Sequence, residues 1–202
     1  MFTGLVQGIG RIERVERRAD DGGVRISVDA TGVPGFAAQV GDSIALNGAC
    51  MTAISVAGVH FSADVSRESL RLTVGLDAVG AVNIETSMRL GDAIGGHMVA
   101  GHVDGIGAVV RSRPVAESRE LVIQAPRDLA RYLARKGSIA VNGVSLTVNE
   151  VVDSPEGCEF STNLIPHTAI VTTLGALAAG DRVNLEVDLI ARYVERMLSR
   201  TA

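Results

Sequence analysis

The side chains best suited to chemistry in this 202-residue chain are one thiol, a few hydroxyls and the histidines near its middle. Cys50 is followed two residues on by Thr52, and Ser145 by Thr147. On a strand, side chains two apart share a face. Cys50 is therefore a candidate nucleophile with a hydroxyl beside it, although a lone free cysteine is also a common small core residue. His102 is either a proton carrier near neutral pH or a turn histidine satisfied by backbone. His97 and His102 are five apart, which does not match the three- or four-residue spacing of a helical metal site. Two cysteines, Cys50 and Cys158, are too few for a thiolate metal site or a disulfide scaffold. No metal is expected. Gly8-Ile9-Gly10 and Gly105-Ile106-Gly107 look like phosphate loops, yet neither leads into a helical pattern, and strand bends or bulges explain them better.

These residues sit at matched places in a duplication. Ser43-Ile44-Ala45-Leu46-Asn47-Gly48-Ala49-Cys50-Met51-Thr52 aligns with Ser138-Ile139-Ala140-Val141-Asn142-Gly143-Val144-Ser145-Leu146-Thr147, six of ten positions being identical. The openings Gly4 to Gly10 and Gly101 to Gly107 also match, as do Val82-Asn83-Ile84-Glu85 and Val183-Asn184-Leu185-Glu186. Two units of this size are a duplicated small domain, not a solenoid. The matched positions differ chemically, with Cys50 facing Ser145 and Leu5 facing His102. Two homologous pockets can hold two copies of one molecule, and such differences let identical ligands take different roles.

The elements that position these residues are mostly strands. Val24, Ile26 and Val28 alternate with polar residues, as do Val183, Leu185 and Val187, which predicts half-buried strands. Short strands punctuated by Asp21-Gly22-Gly23, Asn47-Gly48, Asn142-Gly143 and Glu156-Gly157 predict a small antiparallel barrel per half. One helix is expected over residues 126–137, from the early proline, basic last turn and glycine stop. A second follows Asp188, where Leu189, Ile190, Tyr193, Val194, Met197 and Leu198 form an apolar stripe that either docks on its own barrel or seals a seam between subunits.

The composition excludes several classes of function. Lys and Arg total 19 against 23 Asp and Glu, a net charge of −4 that offers no footprint for a nucleic-acid backbone. No apolar run spans a bilayer, and the opening residues lack a secretory pattern, so no membrane association and a cytoplasmic location are expected. Aromatic residues make up only 3% and Trp is absent. A flat ligand would find few rings to stack on.

Several blocks in one order resemble the α-type riboflavin synthases over essentially the whole length. They are Met1-Phe2-Thr3-Gly4, Asn47 to Thr52, Ser66-Arg67-Glu68-Ser69-Leu70, Gly95-Gly96-His97 through Asp104, Asn142 to Val148, Asn163-Leu164-Ile165-Pro166-His167-Thr168 and Asn184 to Asp188. The resemblance implies a mainly β protein of two tandem homologous six-stranded Greek-key barrels, residues 1–96 and 97–187, with a C-terminal α-helix over 188–202 that builds a homotrimer. It implies a dismutation of two 6,7-dimethyl-8-ribityllumazine molecules by four-carbon transfer, giving riboflavin and 5-amino-6-ribitylamino-2,4-pyrimidinedione, with no cofactor. Association with lumazine synthase is a further implied partnership. Lumazine proteins, which hold such a ligand without turning it over, are the competing class. They lose parts of the opening Thr, the Gly-Gly-His block and the second Ser-Leu-Thr, all of which this chain keeps.

Carried over by position, the resemblance groups Thr3, Gly4, Leu5 and Val6 with Ser43, Cys50, Met51 and Thr52 in a first-barrel pocket, where Asp64, Val65 and Ser66 hold the ribityl chain. It groups Gly101, His102 and Val103 with Ser145, Leu146 and Thr147 and with Ile165, Pro166, His167, Thr168 and Ala169 in a second. Lys136 reaches across a subunit interface. Cys50, His102, Ser145, Thr147 and Thr52 are the expected catalytic residues.

Overall fold

A computed structural model describes residues 1–18 and 22–199. Asp21 of the first predicted turn and residues 200–202 of the predicted helical tail lie outside the described residues.

The first half runs β1 (Gly8–Arg17), β2 (Val24–Asp29), β3 (Ser43–Leu46), β4 (Ala49–Ala57), β5 (His60–Val65), α1 (Arg67–Leu72) and β6 (Gly80–Thr86). Its strands close into a barrel in the order β1-β2-β5-β4-β3-β6. β3, β4 and β5 are joined as hairpins and β2 returns beside β5, which is a Greek key. The alternation in β2 does what it predicts. Ile26 and Val28 are fully buried among Ile12, Ile44, Phe61 and Ile84, while Arg25 and Ser27 turn outward. Each such aliphatic side chain is worth about 1.5–3 kcal/mol of burial.

The second half runs β7 (Gly105–Val115), β8 (Ser118–Pro126), α2 (Arg127–Ala130), β9 (Ser138–Val141), β10 (Val144–Thr147), β11 (Glu150–Ser154), β12 (Gly157–Leu164), α3 (Pro166–Val171), a 3-10 turn (Thr173–Ala176), β13 (Arg182–Val187) and α4 (Leu189–Leu198). Its sheet order is β10-β9-β13-β7-β8-β12-β11. The two end strands are consecutive in the chain, parted only by Val148 and Asn149. They are one strand broken where β4 carries its bulge between Ala53 and Ser55, so the six-strand plan is repeated and the sheet's two ends meet. Its core holds Leu121, Ile123, Ile139, Phe160, Leu164 and Leu185.

Two expectations need correction. The helix over 126–137 shrinks to α2, because the chain continues in three-residue turns (Tyr132 N to Leu129 O, Leu133 N to Ala130 O) that bury Leu129 and Leu133 and deliver Lys136 N to Val148 O at 2.7 Å. The alternation in β13 does not mean one wet face: from Val183 to Val187 every residue is buried. Its outer face is covered by the other half.

The halves dock about a pseudo-two-fold axis. At one end Phe2 and Val99, matched residues of the two openings, exchange backbone hydrogen bonds of 2.7 and 3.0 Å and pack with Ala45 and Ala140. At the other the two Asn-Gly turns meet back to back. Asn47 and Asn142 share φ +46. Gly48 sits at φ +84, and a Cβ there would come within 2.7 Å of Gly143 N. Asn83 donates to Asn142 O (2.9 Å) and Asn184 to Asn47 O (3.0 Å), while their backbone amides donate to Asn47 Oδ1 and Asn142 Oδ1 respectively.

α4 is held on its own half by Arg192 to Asp104 (2.9 Å) and by Arg131 to Glu195 (2.9 Å). Its apolar side is left outward, with Ile190, Tyr193, Val194 and Met197 exposed.

Candidate functional site

Cys50 lies on β4 with Ala49, Met51 and Ala53 turned to the core, so its own side chain and that of Thr52 face outward. The Cys50 amide donates to Gly101 O at 2.8 Å. Gly101 has φ +82, and a Cβ there would come within 2.6 Å of Cys50 Cβ, so only glycine lets the second opening lie this close. Together with Ala49, Met51, α1 residues Glu68, Ser69 and Leu72, and Thr73, the segment Gly101-His102-Val103 walls a cavity of about 200 Å³ around Cys50.

The mirror arrangement surrounds Ser145. Its amide donates to Gly4 O at 2.8 Å, Gly4 has φ +74, and a Cβ on it would come within 2.6 Å of Ser145 Cβ. α3 takes the place of α1, and the threonine after each helix bonds back to it: Thr73 to Ser69 O at 2.7 Å, Thr172 to Thr168 O at 2.6 Å. Thus each half's opening belongs to the other half's site. This corrects the expected grouping: Gly101, His102 and Val103 stand with Cys50, whereas Gly4 stands with Ser145 and Val6 packs on the second core. The reason is the Phe2–Val99 pairing, which carries each opening across the axis before its barrel begins.

The two sites differ by more than the thiol. The strap Gly95-Gly96-His97 crosses the Ser145 site, with His97 N donating to Thr3 O at 3.1 Å and His97 Nδ1 lying 2.7 Å from Ser145 Oγ. A Cβ on Gly96 would come within 2.2 Å of Thr3 O. Burial pushes the His97 pKa below its ordinary value, against the pull of Asp188, so at pH 7 the ring is a neutral partner for the Ser145 hydroxyl. His97 was visible in the sequence as part of a Gly-Gly-His block, but its partner was not.

Other expected residues lie further out. Thr52 pairs in register with Ser43, and Thr147 stands exposed two residues beyond Ser145. Val65 is in the barrel core and Ser66 caps α1 through Ser69 N (3.0 Å). The Asp64 carboxylate is taken by Arg25 (2.7 Å) and by Arg18, and both hold its pKa below the usual range. None of Ser43, Thr52, Asp64, Val65 and Ser66 lines the Cys50 cavity. Leu146 points to the second core, Ile165 precedes α3, and Pro166, His167, Thr168 and Ala169 lie on it. Lys136 is an exposed residue at φ +68. Larger hollows of about 630 Å³ between the halves, beside Arg71 and Arg182, and of about 280 Å³ near Arg17 contain none of the candidate thiol, hydroxyl or imidazole groups. Cys158 is fully buried and its pKa is pushed up to about 11, so it is no nucleophile. Among the described residues no His, Cys, Asp and Glu cluster could hold a metal ion.

Two buried carboxylates escaped the sequence reading. Glu85 on β6 accepts from Thr3 N (2.7 Å), Thr3 Oγ1 (2.7 Å) and Gly4 N (3.1 Å). Glu186 on β13 accepts from Ala100 N (2.7 Å) and Gly101 N (3.0 Å). Both stood in the aligned blocks that close each repeat, where alternation made them look like solvent-facing strand residues.

Two related barrels, each with a matched polar position met by the other's opening and one of them opening onto a cavity, have the plan of a tandem ligand-binding β-barrel protein. The model of the lumazine binding domain matches residues 3–87 and 100–188, and the chain belongs to that family. A riboflavin synthase of Mycobacterium bovis is 42% identical over 98% of both chains. One of Photobacterium phosphoreum is 38% identical over 98% of this chain and 89% of its own. Among solved structures, LumP complexed with 6,7-dimethyl-8-(1'-D-ribityl) lumazine matches with a TM-score of 0.76 at 25% identity, covering 93% of this chain and 99% of that one. LumP complexed with riboflavin matches at 0.77.

Proposed function

We propose that this chain is a riboflavin synthase, which takes two molecules of 6,7-dimethyl-8-ribityllumazine and moves a four-carbon unit from one to the other. The products are riboflavin and 5-amino-6-ribitylamino-2,4-pyrimidinedione. The observation that carries this reading is the pair of matched sites with unmatched polar groups, Cys50 with His102 in one and Ser145 with His97 in the other, in a chain similar over 98% of its length to riboflavin synthases. The four carbons lost by one ring are those gained by the other, so two copies of one substrate suffice.

The reaction requires a proton to leave the C7 methyl of one lumazine, a nucleophile to add at C7 of the other, and both rings to be held face to face. Holding two reactants in attack geometry can supply roughly 7–11 kcal/mol, and positioned acids and bases about 10²–10⁴-fold. We assign Cys50 to the addition at C7 and His102 to proton transfer beside it. Ser145, kept in place by neutral His97, takes part in proton movement in the second site, with Thr147 beyond it, and Thr52 beyond Cys50 in the first half, as outlying donors or water holders. Residues 1–96 and 97–187 act as the two binding units. The outward apolar side of α4 supports assembly with further copies as a homotrimer, which would bring a Cys50 site of one copy to a Ser145 site of another. No helix among the described residues is long and apolar enough to cross a membrane. A cytoplasmic location and a lumazine synthase partner complete the proposal.

The test is incubation with 6,7-dimethyl-8-ribityllumazine alone, following riboflavin by absorbance. One riboflavin per two lumazines consumed is expected; tight binding without turnover would instead make this a lumazine-binding protein of the LumP kind.

A further inference from the structure

We propose that Glu85 and Glu186 are positioning residues that act across the boundary between the barrels: Glu186, rooted in the second barrel, sets the Cys50 site of the first, and Glu85, rooted in the first, sets the Ser145 site of the second. Glu186 is 4% exposed and lies on β13 opposite Ala140 of β9. Its two carboxylate oxygens accept separately from the amides of Ala100 and Gly101, which fixes the two peptides immediately before the Gly101 carbonyl that receives Cys50 N–H. His102 and Val103 follow directly, as the wall of the Cys50 cavity. Glu85 repeats the device with Thr3 and Gly4, and Gly4 O receives Ser145 N–H while Thr3 O receives His97 N–H. A buried carboxylate is an expensive way to hold two amides, since desolvation disfavours its charge. Here the charge accepts at both oxygens; an amide in its place would turn its NH2 toward one of the two donors, and a protonated acid would accept more weakly at the oxygen that carries its proton.

The groups facing Glu186 are Asp104, whose charge raises its pKa, and Arg192 of α4, whose charge lowers it; the first barrel contributes Cys50 through Gly101. With burial the dominant cause, the Glu186 carboxyl is pushed up to about 7. Glu85 is also raised by burial, opposed by Thr3, Gly4 and the N-terminal ammonium. The carboxyl that holds the wall of the Cys50 site therefore changes charge close to neutrality, and the clamp is expected to weaken as it takes up a proton.

This inference rests on the reading of the two sites as lumazine sites, but its principal test needs no ligand. Amide hydrogen exchange is measured on the full chain and on Glu186→Gln and Glu85→Gln. In Glu186→Gln, exchange at Ala100, Gly101 and Cys50 is expected to quicken about tenfold or more while Ser145 is unchanged. In Glu85→Gln the pattern reverses, with Thr3, Gly4 and Ser145 quickened and Cys50 unchanged. Equal change at Cys50 and Ser145 in either variant, or none, overturns the crossed clamp. Should a variant not fold, the wild type decides: Cys50 exchange, corrected for intrinsic chemistry, must follow the midpoint of the Glu186 carboxyl carbon titration read by NMR. A Cys50 transition elsewhere, or none, overturns the proposal. Failure of the exchange arms removes the clamp alone, whereas a wild type that takes up no lumazine removes the site reading beneath it.

Discussion

The thiol of Cys50 and the hydroxyl of Ser145 occupy one position of a repeated pattern, and the surroundings decide what each can do. Cys50 opens onto a cavity beside His102, whereas Cys158 is sealed in a core that holds its proton on. Cys50→Ser is expected to lower riboflavin formation by about 10²-fold with little change in lumazine affinity, measured by steady-state turnover and fluorescence titration; near-full turnover would remove the nucleophile. Ser145→Ala should remove the hydroxyl that His97 Nδ1 meets while leaving the ring buried, so its imidazole NMR titration is expected to stay below the ordinary value; a return to that value would show that the serine, not burial, sets it. The Cys50/Ser145 and Leu5/His102 contrasts were legible because a duplication supplies its own alignment. Which opening meets which site was not, since proximity in sequence favours pairing each opening with its own barrel. Only the Phe2–Val99 exchange, a contact between residues 97 apart in number, reverses that.

At the level of elements, β6 and β13 show where alternation misleads. Each strand places aliphatic residues in its own barrel and Asn and Glu in the seam, so the polar face is as dry as the apolar one: Asn83 and Asn184 are each 1% exposed. The seam was invisible to periodicity because a polar residue in it reads like one in water. Asn184→Leu strands the amide of Val74 and a lone pair of Asn47 O, and should cost about 2–3 kcal/mol in urea unfolding. Asn47 shares the network, so a double-mutant cycle of the two should be non-additive. The C-terminal helix was readable as an amphipathic stripe, and its polar side is what holds it to the second barrel through Glu195 and Arg192. Met197→Glu on the opposite side is expected to shift sedimentation to smaller assemblies without moving the circular dichroism spectrum.

For the whole molecule, Glu186 sets a pH dependence of unusual sign. A carboxyl whose folded pKa is raised binds its proton more tightly folded than unfolded, so its contribution favours the fold at acid pH and is lost as pH climbs from about 4.5 through about 7. The difference amounts to about 3 kcal/mol at pH 8. Asp64, Glu120 and Glu68, with pKa values lowered by arginine partners, act oppositely at lower pH. Glu186→Gln should therefore raise the thermal midpoint relative to wild type at pH 8 and leave little difference at pH 5, by calorimetry; an advantage that does not grow with pH would refute the assignment. Cys50 amide protection should fall in the same variant, so stability and site geometry part company. The exchanged openings also order events during synthesis. Phe2 waits for Val99, and Gly4 for Ser145, residues made about a hundred or more positions later. At about 5–20 residues per second, the first opening stays without these partners for seconds after it is made. A nascent first barrel can close long before its own opening has anywhere to go, so ligand capture becomes the last event in the chain's maturation.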